Sequence, residues 1–254
     1  MNFIMKAERK SLTVLRPLAV TLFWLGVWQL AFFLVKSELL LPSPGQTALR
    51  LFELMQTEGF WLKSLSSLLR IVKGFSLGVI TGVVLGVLTG RFRLLRAFVS
   101  PALNTIKATP VASFIILALI WLTKDGVPVF ISFLMVLPII WSNVAQGIEE
   151  TDKNLLEMAR VFNFSRKNLA LKVYLPSVRP YFLAGCTTAL GFAWKAGIAA
   201  EILSLPLKSI GKELYNSKIY LETTDLFAWS VAVITLSIIL EKLLVFLLGK
   251  IKSK

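Results

Sequence analysis

The chain has 254 residues, of which 56% are hydrophobic and 17% charged, and its mean hydropathy is +0.74. Soluble domains carry roughly 25% charged and 45–50% apolar residues, and disordered chains are poorer still in apolar side chains. Both classes are excluded, which leaves a multi-span membrane protein. The 28 Lys and Arg exceed the 14 Asp and Glu by a formal charge of +14. They lie mostly between apolar runs, as expected when basic residues are retained on the cytoplasmic side. No aromatic-plus-basic surface motif points to nucleic acid instead.

There is no histidine, which removes His-based metal sites and His-dependent acid–base catalysis. Cys186 is the only cysteine, so no disulfide forms within the chain. No GxxxxGK[ST] phosphate loop occurs. Catalytic and metal-ligating residues are therefore expected to be absent.

The segment 1–17 carries Lys6, Arg9, Lys10 and Arg16, and an uncharged run from Leu18 to Val35 follows. A secretory signal has a shorter apolar region and a small-x-small cleavage site. Gln29-Leu30-Ala31-Phe32-Phe33 offers no such site, so the run reads as a retained membrane helix. A crossing needs about 20 apolar residues. Six segments qualify, at about 18–35, 64–90, 97–122, 126–148, 178–203 and 226–248. The expected fold is all-α, one transmembrane domain over 18–248 with a tail at 249–254. With both termini cytoplasmic, the inner segments hold 16 Lys/Arg in 59 residues and the outer ones 7 in 53. The positive-inside rule selects that orientation.

After the first span, Ser43 and Pro44 are placed to cap and open a short helix to about Thr57. Leu49, Phe52 and Met55 recur there at helical spacing, as in a helix lying along the membrane surface. The second span carries Gly74, Gly78, Gly82, Gly86 and Gly90, four overlapping GxxxG units. Lipid supplies no hydrophobic force between helices, so small residues that permit close approach drive packing. The strict spacing predicts a packing ridge on a helix buried in the bundle, where it could also face a partner subunit. In the third span Pro110 predicts a kink.

The inner connection 149–179 is long and structured. Asp152 is placed to cap a helix bearing Leu155, Leu156, Ala159 and Phe162. Asn163 tolerates the left-handed conformation that ends helices. Ser165 caps a second short helix carrying Leu169, Val173 and Tyr174, which Pro176 and Pro180 are expected to end. Two readings follow: a helix lying on lipid headgroups, or a docking element for a soluble protein.

Glu157-Met158-Ala159, Asn163, and Val173-Tyr174-Leu175-Pro176 resemble the EAA loop of bacterial binding-protein-dependent ABC importer permeases. That pattern has glycine where Asn163 stands, and both residues tolerate positive φ. Leu41-Pro42-Ser43-Pro44, the glycine-rich span, Thr109-Pro110 and Ala199-Ala200-Glu201 fall in the family's order, so the similarity covers about 20–245. Together these features resemble the group importing nitrate, sulfonates, taurine and related compounds, including some thiamine-precursor systems.

The resemblance implies a type I ABC importer fold, a homodimer and a bacterial inner-membrane location. It also implies two ATPase subunits holding ATP and Mg, and an extracytoplasmic binding protein that delivers a small-molecule substrate. Glu157, Met158, Ala159, Arg160, Asn163 and Phe164 would then couple to the ATPase.

Charged groups at membrane depth usually face the interior or a watery cavity. Lys195, with Trp194 beside it, either faces a substrate pathway or snorkels and pairs elsewhere. Glu201 lies six residues on, about 240° around a helix, so the two do not pair. Its position in the family's order suggests a gate or structural role. Lys107, two residues before Thr109-Pro110, either lines a kinked pathway or sits at the inner interface. Arg70 and Lys73 read as snorkelling at the outer end of the second span. The cations lean towards an anionic substrate. An ion-coupled secondary transporter is the alternative, but it gives the 31-residue loop 149–179 no task. A membrane enzyme has no motif in its support.

Overall fold

The computed structural model describes residues 2–252, with side chains for 19–248, and all regular structure among them is helical. The elements are α1 (Asn2–Val35), α2 (Pro44–Met55), α3 (Glu58–Arg91), α4 (Arg93–Ala108), α5 (Val111–Trp121) and α6 (Gly126–Glu149). They continue as α7 (Lys153–Val161), α8 (Arg166–Leu169), a π-helical segment (Ala170–Tyr174), α9 (Leu175–Ser204), α10 (Ile210–Ile219) and α11 (Thr223–Lys252). The side chains of the expected end segments 1–17 and 249–254 lie outside those described.

Among the described residues, four helical stretches are long and apolar enough to cross a membrane: α3, α6, the run Arg166–Ser204 and Thr223–Leu248. Ala19–Val35 is a shorter apolar helix. The stretch 97–122, expected as one kinked span, is two helices bent by 104°. Pro110 has no N–H to donate and disfavours helical backbone at Thr109. Both residues are extended, with ψ of 133° and 131°.

The chain divides into two compact units. One joins the residues up to Phe60 with Glu213–Ala232. Here Ser43 and Gln46 form a reciprocal capping box with Pro44 in the first turn of α2. Arg50 Nε and Nη2 donate to the two oxygens of Asp225 at 2.6 and 3.0 Å. Trp28 Nε1 donates to the Pro42 carbonyl at 3.0 Å, and Phe60 stacks on Trp229 with centroids 5.0 Å apart. The apolar stripe of α2, Leu49, Phe52 and Met55, is exposed.

The second unit, Trp61–Lys212 with the chain from Val233 on, is built on α6. The five glycines of α3 face it. A Cβ added at Gly78, Gly82 or Gly86 would lie 2.6, 2.8 or 2.7 Å from the Cβ of Val136, Ile140 or Val144. At Gly74 it would meet Ser132 Cβ at 2.7 Å, and at Gly90 Ile148 Cδ1 at 2.9 Å. The ridge therefore packs within the chain, against α6, and not against a partner subunit. The opposite face of α3, with Leu77, Ile80, Val84 and Val87, is exposed, so the helix is buried on its glycine side only.

Both partners of each contact advance together along the chain, so α3 and α6 run parallel. The contacts of α6 with α9 run the other way: Gly147 abuts Val178 and Tyr181, Gly185 abuts Asn143, and Ser132 Oγ donates to the Ala193 carbonyl at 3.2 Å. Between two parallel helices the chain must return, and α4 with α5 makes that return. Leu103 of α4 packs beside Leu137 and Trp141, nearer the Glu149 end of α6. Ile115 and Ala118 of α5 pack beside Val127 and Ile131, at its Gly126 end.

Overpacking a tight contact costs about 1–3 kcal/mol. Gly82→Leu is expected to destabilise the purified chain by that order, read as a lower thermal midpoint. Gly26→Ala, where an added Cβ meets nothing within 4 Å, is expected to leave it unchanged. Equal midpoints for the two variants would refute the interlock.

Candidate functional site

The segment between α6 and α9 is a helical hairpin. The Asp152 carboxylate caps α7 by accepting from Asn154 N at 2.8 Å, and Ser165 Oγ caps α8 by accepting from Asn168 N at 3.3 Å. Asn163 lies in the left-handed region with φ 49°. The Phe164 N–H reaches back to the Ala159 carbonyl at 2.9 Å and the Asn163 N–H to that of Arg160 at 3.0 Å. That pair of bonds is a Schellman C-cap, in which asparagine does the work of glycine. The face expected to unite Leu155, Leu156, Ala159 and Phe162 is divided. Ala159 is buried and Leu156 half-buried, while Leu155, Met158, Val161 and Phe162 are exposed beside Glu157 and Arg160. Phe164 is half-buried with the Lys172 ammonium over its ring.

The second arm of the hairpin does not end at Pro176 or Pro180. Helix is continuous from Arg166 to Ser204. The Leu175 N–H reaches the Ala170 carbonyl, five residues back, in the π-helical segment. This wider turn precedes Pro176, which has no N–H and sits in the first turn of α9. At the start of the hairpin, Arg96 of α4 forms an ion pair with Glu149, the last residue of α6. The hairpin thus runs without a break into α9, while a short turn at 150–152 separates it from α6.

Lys195 is exposed and makes no ion pair among the described residues. Trp194 does not share its face. Its ring is buried and Nε1 donates to the Val233 carbonyl at 3.2 Å, so it packs against α11. Lys107 lies in the last turn of α4, its ammonium 5.7 Å from the centroid of the Trp141 ring. Trp141 is fixed in turn by donation from Nε1 to Thr89 Oγ1 at 2.8 Å. The structure thus keeps Lys195, Lys107 and Glu201 in separate settings.

Glu201 is fully buried, at 0% exposure, and is not free. Its Oε2 accepts from Ser67 Oγ at 2.7 Å and from the Gly211 N–H at 3.2 Å. Its Oε1 accepts from Arg70 Nη1 at 3.1 Å. Arg70 also donates to the Lys208 carbonyl at 2.8 Å and to Asp125. Ser67 Oγ accepts from the Ile210 N–H at 2.9 Å. The carboxylate therefore pins the segment after α9 onto α3. Sequence reasoning missed Ser67 and Asp125, and it read Arg70 as snorkelling where the side chain turns inward to Glu201. The available signal was that Arg70 and Glu201 interrupt apolar spans near the same end, each in need of an opposite charge.

Removing one partner of a buried ion pair costs about 3–5 kcal/mol, because the other charge is left uncompensated. Arg70→Met is expected to destabilise the detergent-solubilised chain by that amount, and Ser67→Ala by about 1 kcal/mol. Thermal midpoints measure both. A midpoint for Arg70→Met no lower than that of Ser67→Ala would show that the pair is not held in the interior.

Known proteins are similar to this chain in sequence. Residues 78–253 match the family described as binding-protein-dependent transport system inner membrane component. The bicarbonate transport system permease protein CmpB of Synechococcus elongatus is 28% identical over 225 residues, covering 84% of this chain and 80% of CmpB. The nitrate import permease protein NrtB of the same organism is 31% identical over 148 residues, covering 58% of this chain and 53% of NrtB. SsuC of Bacillus subtilis, a permease protein named for aliphatic sulfonates transport, is 26% identical over 226 residues, covering 88% of this chain and 81% of SsuC. With the family match spanning well over half of its length, the chain belongs to the binding-protein-dependent inner-membrane transport components and is the permease subunit of an ABC importer.

Proposed function

We propose that two copies of this chain, two ATPase subunits and an extracytoplasmic binding protein form an importer for a small anion. Each chain crosses the membrane six times, with both termini and the 149–179 hairpin on the cytoplasmic side. ATP and Mg reside on the ATPase, which supplies the energy that this chain has no phosphate loop to extract. The observation that carries the reading is the exposed apolar face of α7, Leu155, Met158, Val161 and Phe162, on a hairpin between two apolar helices. An amphipathic helix of this kind seats in a groove of a partner protein. The orientation is supported by the basic bias of the inner segments. The crossing by α4 and α5 is supported by the parallel run of α3 and α6.

In this reading ATP binding draws the two hairpins together, and the continuous α8–α9 run passes the displacement into the membrane. The cavity then opens to the binding protein, and hydrolysis restores the inward-facing state. The ligand differentially stabilises one of two states, and the hairpin carries the bias. The anionic cargo is supported by CmpB, NrtB and SsuC, each named for an anion. It is supported again by Lys195, a cation within α9 that makes no ion pair among the described residues. An ion-coupled secondary transporter would need a membrane-depth carboxylate for its ion, and that of Glu201 is already engaged by Arg70 and Ser67.

Two experiments test this. Glu157→Lys and Val161→Asp are expected to leave the chain in the membrane and to lower co-purified ATPase about tenfold, a loss of roughly 1.4 kcal/mol. Undiminished co-purification would remove the docking assignment. Ala159→Asp is a poorer probe, because Ala159 is buried and its change would disturb the hairpin itself. Lys195→Ala is expected to cut anion uptake into vesicles about tenfold with ATPase stoichiometry intact. Uptake at the native rate would take Lys195 out of the pathway.

A further inference from the structure

We propose that Asp125 is the releasable half of a two-part catch, whose permanent half is the Arg70–Glu201 pair. In this conformation the catch fastens the turn between α5 and α6 to α3, and in the other transport state it lets go. The proposal rests on the two-state importer cycle above.

The two carboxylates on Arg70 are not equivalent. Glu201 is at 0% exposure and each of its oxygens is engaged, by Arg70, by Ser67 and by the Gly211 N–H. A Cβ added at Gly211 would lie 2.6 Å from the Ile202 N, so this segment has no room to shift locally. Leu205, just after α9, is held in the left-handed region with φ 51° and donates its N–H to the Glu201 carbonyl. Backbone strain of this kind persists where the surroundings over-determine it.

Asp125 differs on each count. Its side chain is 68% exposed. One oxygen, Oδ1, accepts from both Arg70 Nε at 2.9 Å and Nη2 at 2.6 Å, so the two-oxygen fork that arginine favours is not formed. Arg70 is already neutralised by Glu201, and Asp125 adds a surplus negative charge. Its release leaves a neutral buried pair and a carboxylate already largely in water. Loss of Glu201 would instead leave a buried cation without its interior partner.

A structural task for Asp125 is available only in principle. It stands at the N-cap of α6, a position that favours aspartate, yet its side chain makes no cap hydrogen bond. The donors it would cap are taken or missing. Gly126 and Val127 N–H groups bond to the Thr123 carbonyl, and Pro128 has no N–H. The carboxylate is therefore directed to Arg70. The turn it secures, Leu122–Lys124, is the free end of α5, the arm set at 104° to α4. Straightening that arm pulls on this turn, and the exposed contact is the one that yields.

The test uses the full complex in liposomes, with one of its two copies carrying spin labels on Lys124→Cys and Lys208→Cys and both copies in a Cys186→Ser background. Both lysines are exposed, and the Lys208 carbonyl on Arg70 is retained by the substitution. Electron–electron distance measurement is expected to give one short distance at rest and a second, longer one after trapping with ATP and vanadate. Asp125→Asn is expected to show the longer distance already at rest, with ATPase stoichiometry unchanged. A trapped complex that keeps only the short distance overturns the catch. So does an Asp125→Asn distribution identical to the parent. The comparison at rest needs no nucleotide, so it judges the catch even if no ATPase accompanies the chain, a result that would refute the importer reading separately.

Discussion

The close approach of α3 to α6 constrains the rest of the second unit. In lipid, apolar side chains gain little by leaving one apolar surface for another, so helices associate where their backbones come near. Five glycines at a strict spacing of four provide that surface, and each lies against the residue 58 positions later. The interlock fixes three things together: the separation of the helices, their axial register and their parallel direction. Parallel direction forces a return path, and the chain supplies it with α4 and α5, broken at Thr109 and Pro110. The bent pair follows from the need to return beside a helix whose other face is occupied by α9.

The two ends of this framework are treated differently by the chain. At the Glu149 end, apolar groups are left exposed on α7, and the surface charges there cost little. At the Gly126 end, a carboxylate has been taken into the interior and is met by a guanidinium, a hydroxyl and a backbone N–H. Burying a charge without such partners would cost more than a membrane domain of ordinary stability can tolerate. A soft end and a hard end joined by continuous helix suit a part that is pushed at one end and held at the other. The π-helical segment serves the same purpose, because it carries Pro176 and Pro180 within one unbroken rod instead of ending it.

What was legible in the sequence was local chemistry. The period-four glycines, the tolerance of Asn163 for positive φ and the missing donor of Pro110 each act over a few residues, and each has its expected local consequence. What was not legible depended on partners far away. Arg70 and Glu201 are 131 residues apart, and no spacing rule connects them. Trp194 and Lys195 are adjacent, and only the packing of α11 decides that the ring turns inward while the ammonium does not. The hairpin erred in a smaller way. Period alone groups Leu155 with Leu156 and Ala159, whereas contact with the rest of the fold buries Ala159, half-buries Leu156 and leaves Leu155 beside Met158 and Val161. Pro176 and Pro180 read as terminators because an isolated helix would stop there, and the π turn that absorbs them arises only in context.

The setting of Lys195 bears on what the subunit can carry. A lysine near the middle of a membrane helix costs about 2.5–3.5 kcal/mol on insertion scales, so it persists where water or an anion meets it. The buried cluster near Glu201 is charge-balanced by its own members and offers no free cation to a passing anion. Lys107 has its ammonium over the Trp141 ring, which satisfies part of its field. Of the three membrane-depth groups weighed as pathway residues, Lys195 alone keeps an unspent positive charge among the described residues. One such charge attracts anions without selecting among them, since it has no fork geometry and no second donor fixed beside it. In the proposed importer, the choice among anions would fall to the protein that delivers them, and the permease would need only a single cation of the right sign.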